Sequence, residues 1–93
     1  MSKSFDINIT HEVGLHARPA AMFVKVASQF KSKILVENLS RESAAVNARS
    51  ILSVLSIGVN QNNTIRLTIE GEDEEQAMSA LQNLISGNFA EFE

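Results

Sequence analysis

The chain contains one proline, Pro19, and that residue sets where its first helix begins. The proline ring locks φ and removes the backbone N–H, so it fits the first turn of a helix and no later turn. Behind it runs Ala20-Ala21-Met22-Phe23-Val24-Lys25-Val26-Ala27-Ser28-Gln29-Phe30 without a breaker. His16, in Gly14-Leu15-His16-Ala17-Arg18-Pro19, therefore stands at or just before a helix N-terminus. The first N–H groups of a helix lack intrahelical acceptors and the macrodipole is positive there, so the helix start at Ala17 and Arg18 suits an anion. The Arg18 guanidinium adds a planar fork that matches phosphate oxygens. A titratable imidazole, a helix end and an arginine within three residues together suit phosphoryl chemistry on His16.

The remaining elements follow from periodicity. Phe5, Ile7 and Ile9 alternate with Asp6, Asn8 and Thr10, the pattern of a half-buried strand. Gly14 permits the turn into the helix, where Ala20, Phe23, Val24, Ala27 and Phe30 make one apolar face. Lys31-Ser32-Lys33 is expected to end that helix, its cations opposite the negative pole. Residues 33–39 are β-branched and read as a second strand, residues 40–42 as a turn, and residues 43–47 as a short third strand. A short helix follows within residues 48–58, capped by Asn47 or Ser50 and closed by Gly58. On it Ile51, Leu52 and Leu55 share one side, an arrangement found in cores more often than at interfaces. Residues 61–63 form a turn, and residues 64–70 alternate again with Ile65, Leu67 and Ile69 on one face. Asp73 as N-cap and Gln76 as capping-box partner open a last helix. Its stripe is Ala77, Ala80, Leu81, Leu84 and Ile85, and Gly87 is its C-cap. The order β-α-β-β-α-β-α predicts an α+β fold in two layers, one sheet covered by helices on one face, as a single domain over residues 1–93.

Composition narrows the functional classes. A net charge of -3 and the lack of a basic stripe or stacking aromatics argue against nucleic acid. Without cysteine there is no disulfide, iron–sulfur cluster or thiolate zinc site. His11 reads as a loop residue, and with His16 it lacks the i, i+4 spacing of a helical metal pair. The N-terminal residues lack the apolar run of a signal peptide and no stretch is long enough to span a membrane, so a cytoplasmic location without membrane insertion is expected. The acids at 72–75 fit the electrostatics of a helix start.

The stretch Gly14-Leu15-His16-Ala17-Arg18-Pro19-Ala20 resembles the active-site motif of HPr, the histidine-containing phosphocarrier family of the phosphoenolpyruvate-dependent sugar phosphotransferase system. Val46-Asn47-Ala48-Arg49-Ser50-Ile51-Leu52 resembles the segment that holds the family's regulatory serine. The chain departs from the family pattern in residues 40–45, which lack the usual glycine and lysine, and at Ser53, where many members have glycine. The resemblance covers nearly the whole chain and implies an HPr-like open-faced sandwich, four antiparallel strands in the order 1-4-2-3 under three helices.

It also implies a relay and not an enzyme in its own right. Phosphorylated enzyme I passes its phosphoryl group to Nδ1 of His16, and His16 passes it to a sugar-specific enzyme IIA. Imidazole as a class titrates near pH ~6.5 and is largely neutral at pH 7, so it can act as a nucleophile. Phosphoryl transfer needs alignment and charge stabilisation, which Arg18 and the helix-end amides supply without metal or organic cofactor. Ser50 is expected to be a regulatory site for an HPr kinase/phosphorylase. Ile51, Leu52 and Leu55 are expected to include an exposed partner-docking patch, and the carrier to be a monomer. The alternatives are a nitrogen-related phosphotransferase carrier and a purely regulatory protein of the same fold, acting through protein contacts. A small-ligand or RNA-binding module has no supporting pattern.

Overall fold

The computed structural model describes residues 2–90. Its elements run β1 (Ser2–Asn8), α1 (Ala17–Ala27), β2 (Lys33–Asn38), β3 (Val46–Asn47), α2 (Ile51–Ser56), β4 (Thr64–Glu70) and α3 (Glu74–Ser86). A 3-10 turn, Leu39–Arg41, lies between β2 and β3. The sheet is antiparallel in the order β1-β4-β2-β3. This is the βαββαβα open-faced sandwich expected from the sequence.

Register explains the two faces. Phe5 and Val36 both pair with Leu67, Ile7 pairs with Ile65, and Ile34 with Ile69. These side chains point to the helical layer, where Ile34, Val36, Ile65, Leu67 and Ile69 are buried with Phe23, Ala27, Leu81 and Ile85. Burial of a large aliphatic side chain stabilises by roughly 1.5–3 kcal/mol, so this interdigitation is the main favourable term of the fold. The opposite face carries Asp6, Arg66 and Glu37 side by side. Arg66 holds Asp6 through Nε at 2.7 Å and Nη2 at 3.0 Å. That hydrogen-bonded pair keeps the Asp6 carboxyl below its ordinary range.

Four local expectations are corrected. α1 ends at Ala27 with Ser28 as C-cap, so Lys31 and Lys33 lie outside it and only Lys25 is in its last turn. β3 is two residues long, because Ala44 and Ala45 are poor strand formers. Ser43 turns back instead, its Oγ accepting from the Asn38 N–H at 2.8 Å. Asp73 occupies the N-cap position of α3 without capping it. Its carboxylate faces the turn after α1, accepting from the N–H of Lys31 and from the N–H and hydroxyl of Ser32, and Glu74 accepts from the Gly71 N–H instead of Gln76 closing a capping box. Gly87 is the C-cap, as expected, with φ -80°, and Asn88 and Phe89 after it are left-handed. Phe89 is buried, and the rest of the acidic tail, residues 91–93, lies outside the described residues.

Candidate functional site

The loop from His11 to His16 is built on close backbone approach. Gly14 has φ +68°, and a Cβ there would collide with the Val59 carbonyl oxygen. The adjoining Leu15 N–H donates to that oxygen at 2.9 Å, and the Leu15 side chain is fully buried. His16 follows with an extended backbone (φ -130°, ψ 164°) and is the N-cap residue of α1. Pro19 is buried in the first turn, the position its geometry requires. Ala17, the first helical residue, has φ +51°, a left-handed conformation that costs a non-glycine residue about 1 kcal/mol or more.

The imidazole is half-buried, while Ala17 and Arg18 are exposed. Its ring makes no capping hydrogen bond to the helix. Nε2 lies 3.1 Å from Oδ1 of Asn60, in the loop between α2 and β4. Asn60 was not among the residues singled out from the sequence. The signal available was the amide-rich run Asn60-Gln61-Asn62-Asn63, which reads as a turn and nothing more. His11 is a loop residue as expected: its Nδ1 accepts from the Val13 N–H at 3.2 Å, and its ring meets Phe89 edge-on. Among the described residues there is no group of three or more His, Cys, Asp or Glu placed to hold a metal ion. Two surface hollows, about 370 and 300 Å³, lie beside β2 and between α1 and α3, and neither includes His16.

Ser50 is the N-cap of α2, and its Oγ accepts from the Ser53 N–H at 3.2 Å. Of the two caps considered, the serine takes the role; Asn47 uses its side-chain oxygen for the Arg49 N–H. Ile51 is 39%, Leu52 77% and Leu55 38% exposed, while Val54 faces the core. α2 packs against α1, so these apolar side chains share the helical layer with Arg18. Val13, in the His16 loop, is the other exposed large hydrophobic residue among those described.

The architecture defines a class of protein: a small α+β sandwich that presents an imidazole at the mouth of a helix, with the ring's far nitrogen tied to a neighbouring loop. Residues 3–87 match the family profile described as PTS HPr component phosphorylation site. The chain belongs to the HPr family of phosphocarrier proteins. It is 39% identical over 85 residues to the phosphocarrier protein HPr of Treponema pallidum, covering 91% of this chain and 93% of that one. The crystal structure of HPr-C-His from Thermoanaerobacter tengcongensis superposes with a TM-score of 0.89 at 47% identity, over 98% of this chain and 99% of that one. An HPr dimer structure from the same organism gives 0.74 at 49% identity, over 91% and 94%. The multiphosphoryl transfer protein of Haemophilus influenzae is 42% identical over 83 residues, which are 89% of this chain but 17% of that protein. The chain thus spans about a fifth of the length of the multiphosphoryl transfer proteins that it matches. No helix among the described residues is long and apolar enough to cross a membrane.

Proposed function

We propose that His16 accepts a phosphoryl group from phosphorylated enzyme I and delivers it to a sugar-specific enzyme IIA, so that phosphoenolpyruvate is coupled to sugar uptake. The observation that carries this reading is the placement of His16 as an extended N-cap with no capping bond of its own, directly before Ala17 and Arg18 at the positive end of α1. In this reading the ring's Nδ1 is the attacking atom. The Ala17 and Arg18 amides and the Arg18 guanidinium take up charge on the transferred oxygens. A half-buried histidine at an exposed helix mouth is reachable by protein partners on both legs of the relay, which a closed pocket would forbid. Relatives named multiphosphoryl transfer protein support partners within the phosphotransferase system.

Ser50, Ile51, Leu52 and Leu55 complete the proposal. Ile51, Leu52 and Leu55 form a docking surface, and Ser50 is a regulatory phosphorylation site for an HPr kinase/phosphorylase-type enzyme. In this proposal the unit is one domain over residues 1–93, working as a monomer in the cytoplasm. Reconstitution tests the reading: phosphoenolpyruvate, purified enzyme I, this protein and a purified enzyme IIA are combined, and label on IIA is followed. Transfer that requires this protein and disappears with His16→Ala is the expected result. Labelling of IIA that proceeds equally with His16→Ala would overturn the proposal.

A further inference from the structure

We infer that Asn60 is a positioning residue for His16: its side-chain oxygen holds the neutral imidazole as the Nε2–H tautomer and so leaves the Nδ1 lone pair directed outward as the nucleophile. The inference rests on the phosphocarrier reading for its chemistry and on geometry for its structure. An amide oxygen can only accept, so with Oδ1 of Asn60 at 3.1 Å from Nε2, that nitrogen must carry the hydrogen. Neutral imidazole has one N–H, and Nδ1 is therefore the bare nitrogen. Nδ1 makes no capping bond to α1, so its lone pair is not spent on the helix amides.

The Asn60 backbone is held in place from behind. The Asn60 N–H donates to Oδ1 of Asn63 at 2.9 Å. The same oxygen accepts from Nδ2 of Asn38 at 3.1 Å. Asn38 is fully buried on the helix-facing side of β2, and its Nδ2 also reaches the Ile57 carbonyl at 3.1 Å. On the other flank, the Leu15 N–H to Val59 oxygen bond at 2.9 Å, beside a glycine that leaves no room for a Cβ, ties the same loop to the residue before His16. A buried polar side chain held by several bonds is rigid, and here Asn38 and Asn63 anchor to the core the backbone from which the Asn60 side chain reaches the imidazole.

In the transfer step the Nδ1 lone pair forms the new N–P bond. The bond between phosphorus and the donor breaks, and its electron pair leaves with the donor. No proton has to move, because the ring proton is already on Nε2 and stays there. The ring becomes a phosphoimidazolium, and its Nε2–H is a stronger donor to the same Asn60 oxygen. The contact therefore strengthens as the charge develops, which makes it kinetically useful.

The test uses the intact protein with Asn60→Ala and Asn60→Asp; the Asn60 side chain is exposed, so both should keep the parent melting temperature. The 15N shifts of the His16 ring at about pH 9, above the imidazole titration, report the tautomer. The parent and Asn60→Asp should show Nε2–H, and Asn60→Ala a mixture with Nδ1–H. Phosphoramidate, a small donor that releases ammonia and needs no docking surface, should label Asn60→Ala about 5-fold more slowly, as expected for loss of one hydrogen bond of ~1 kcal/mol. A parent ring in the Nδ1–H form, or an Asn60→Ala protein with the parent's tautomer and labelling rate, would overturn the inference. If enzyme I fails to charge the parent, the phosphocarrier reading fails by itself, while the spectra and the phosphoramidate rate still decide the role of Asn60.

Discussion

Gly14 and the carbonyl of Val59 touch so closely that the residue beside them has only one place to go. Replacing Gly14 by Ala puts a Cβ on backbone at a φ that alanine disfavours, so Gly14→Ala should lower stability by about 3 kcal/mol in urea titration. A change within ±0.5 kcal/mol would mean that the loop is slack. The proposed relay assigns Arg18 to the chemistry: it is exposed on the first turn of α1, and Arg18→Ala should slow charging of His16 while leaving the melting temperature near the parent's. Parent-rate charging would remove its assigned role. At this scale the sequence was informative where geometry is local. Pro19 places His16 at the helix start because a pyrrolidine ring permits nothing else. It was uninformative for Asn60, since a hydrogen bond between residues 44 apart has no local signature.

At the scale of elements, the proposal puts the most functional weight for its length on α2. It is six residues long, with one side chain in the core and three large apolar ones facing outward. Ser50 caps it from the front, so a phosphate there adds roughly -1.5 to -2 charges beside Ile51 and Leu52 without burying any of them. Ser50→Asp and Leu52→Glu should both melt near the parent and raise the KM for enzyme I, with the maximal charging rate largely kept. If both charge as fast as the parent at sub-saturating enzyme I, α2 is not the docking surface. Strands β1, β2 and β4 and the three helices were legible from alternation and helical spacing, because burial on one face imposes a period. Element ends were less so. α1 stops three residues before Phe30, where Ser28 caps it locally, and β3 shrinks to two residues beside the poorly strand-forming Ala44 and Ala45; the apolar period encodes neither end. Asp73 shows the same limit: its residue type fits a cap, yet in the folded chain it binds another loop.

For the whole molecule, that Asp73 carboxylate joins the end of α1 to the start of α3. The Ser32 hydroxyl and the Lys31 and Ser32 amides hold its pKa below the ordinary carboxylate value. A depressed folded value means that the contribution is complete above the unfolded value of ~3.9 and is lost as pH falls through the folded one. Asp73→Asn should therefore be less stable than the parent at neutral pH and converge on it in acid, as read by thermal melts across pH. A constant difference at every pH would assign its effect to shape and not to charge. The sheet, its helical layer and these cross-links serve one end: they hold a helix mouth, a histidine and a supporting amide in fixed relation on an open surface. Intact-mass measurement after incubation with phosphoenolpyruvate and enzyme I, kept under alkaline conditions and then acidified, tests that claim most directly. The account predicts a single phosphoryl group that survives alkali, is lost in acid and is absent from His16→Ala; the same label retained in His16→Ala would contradict it.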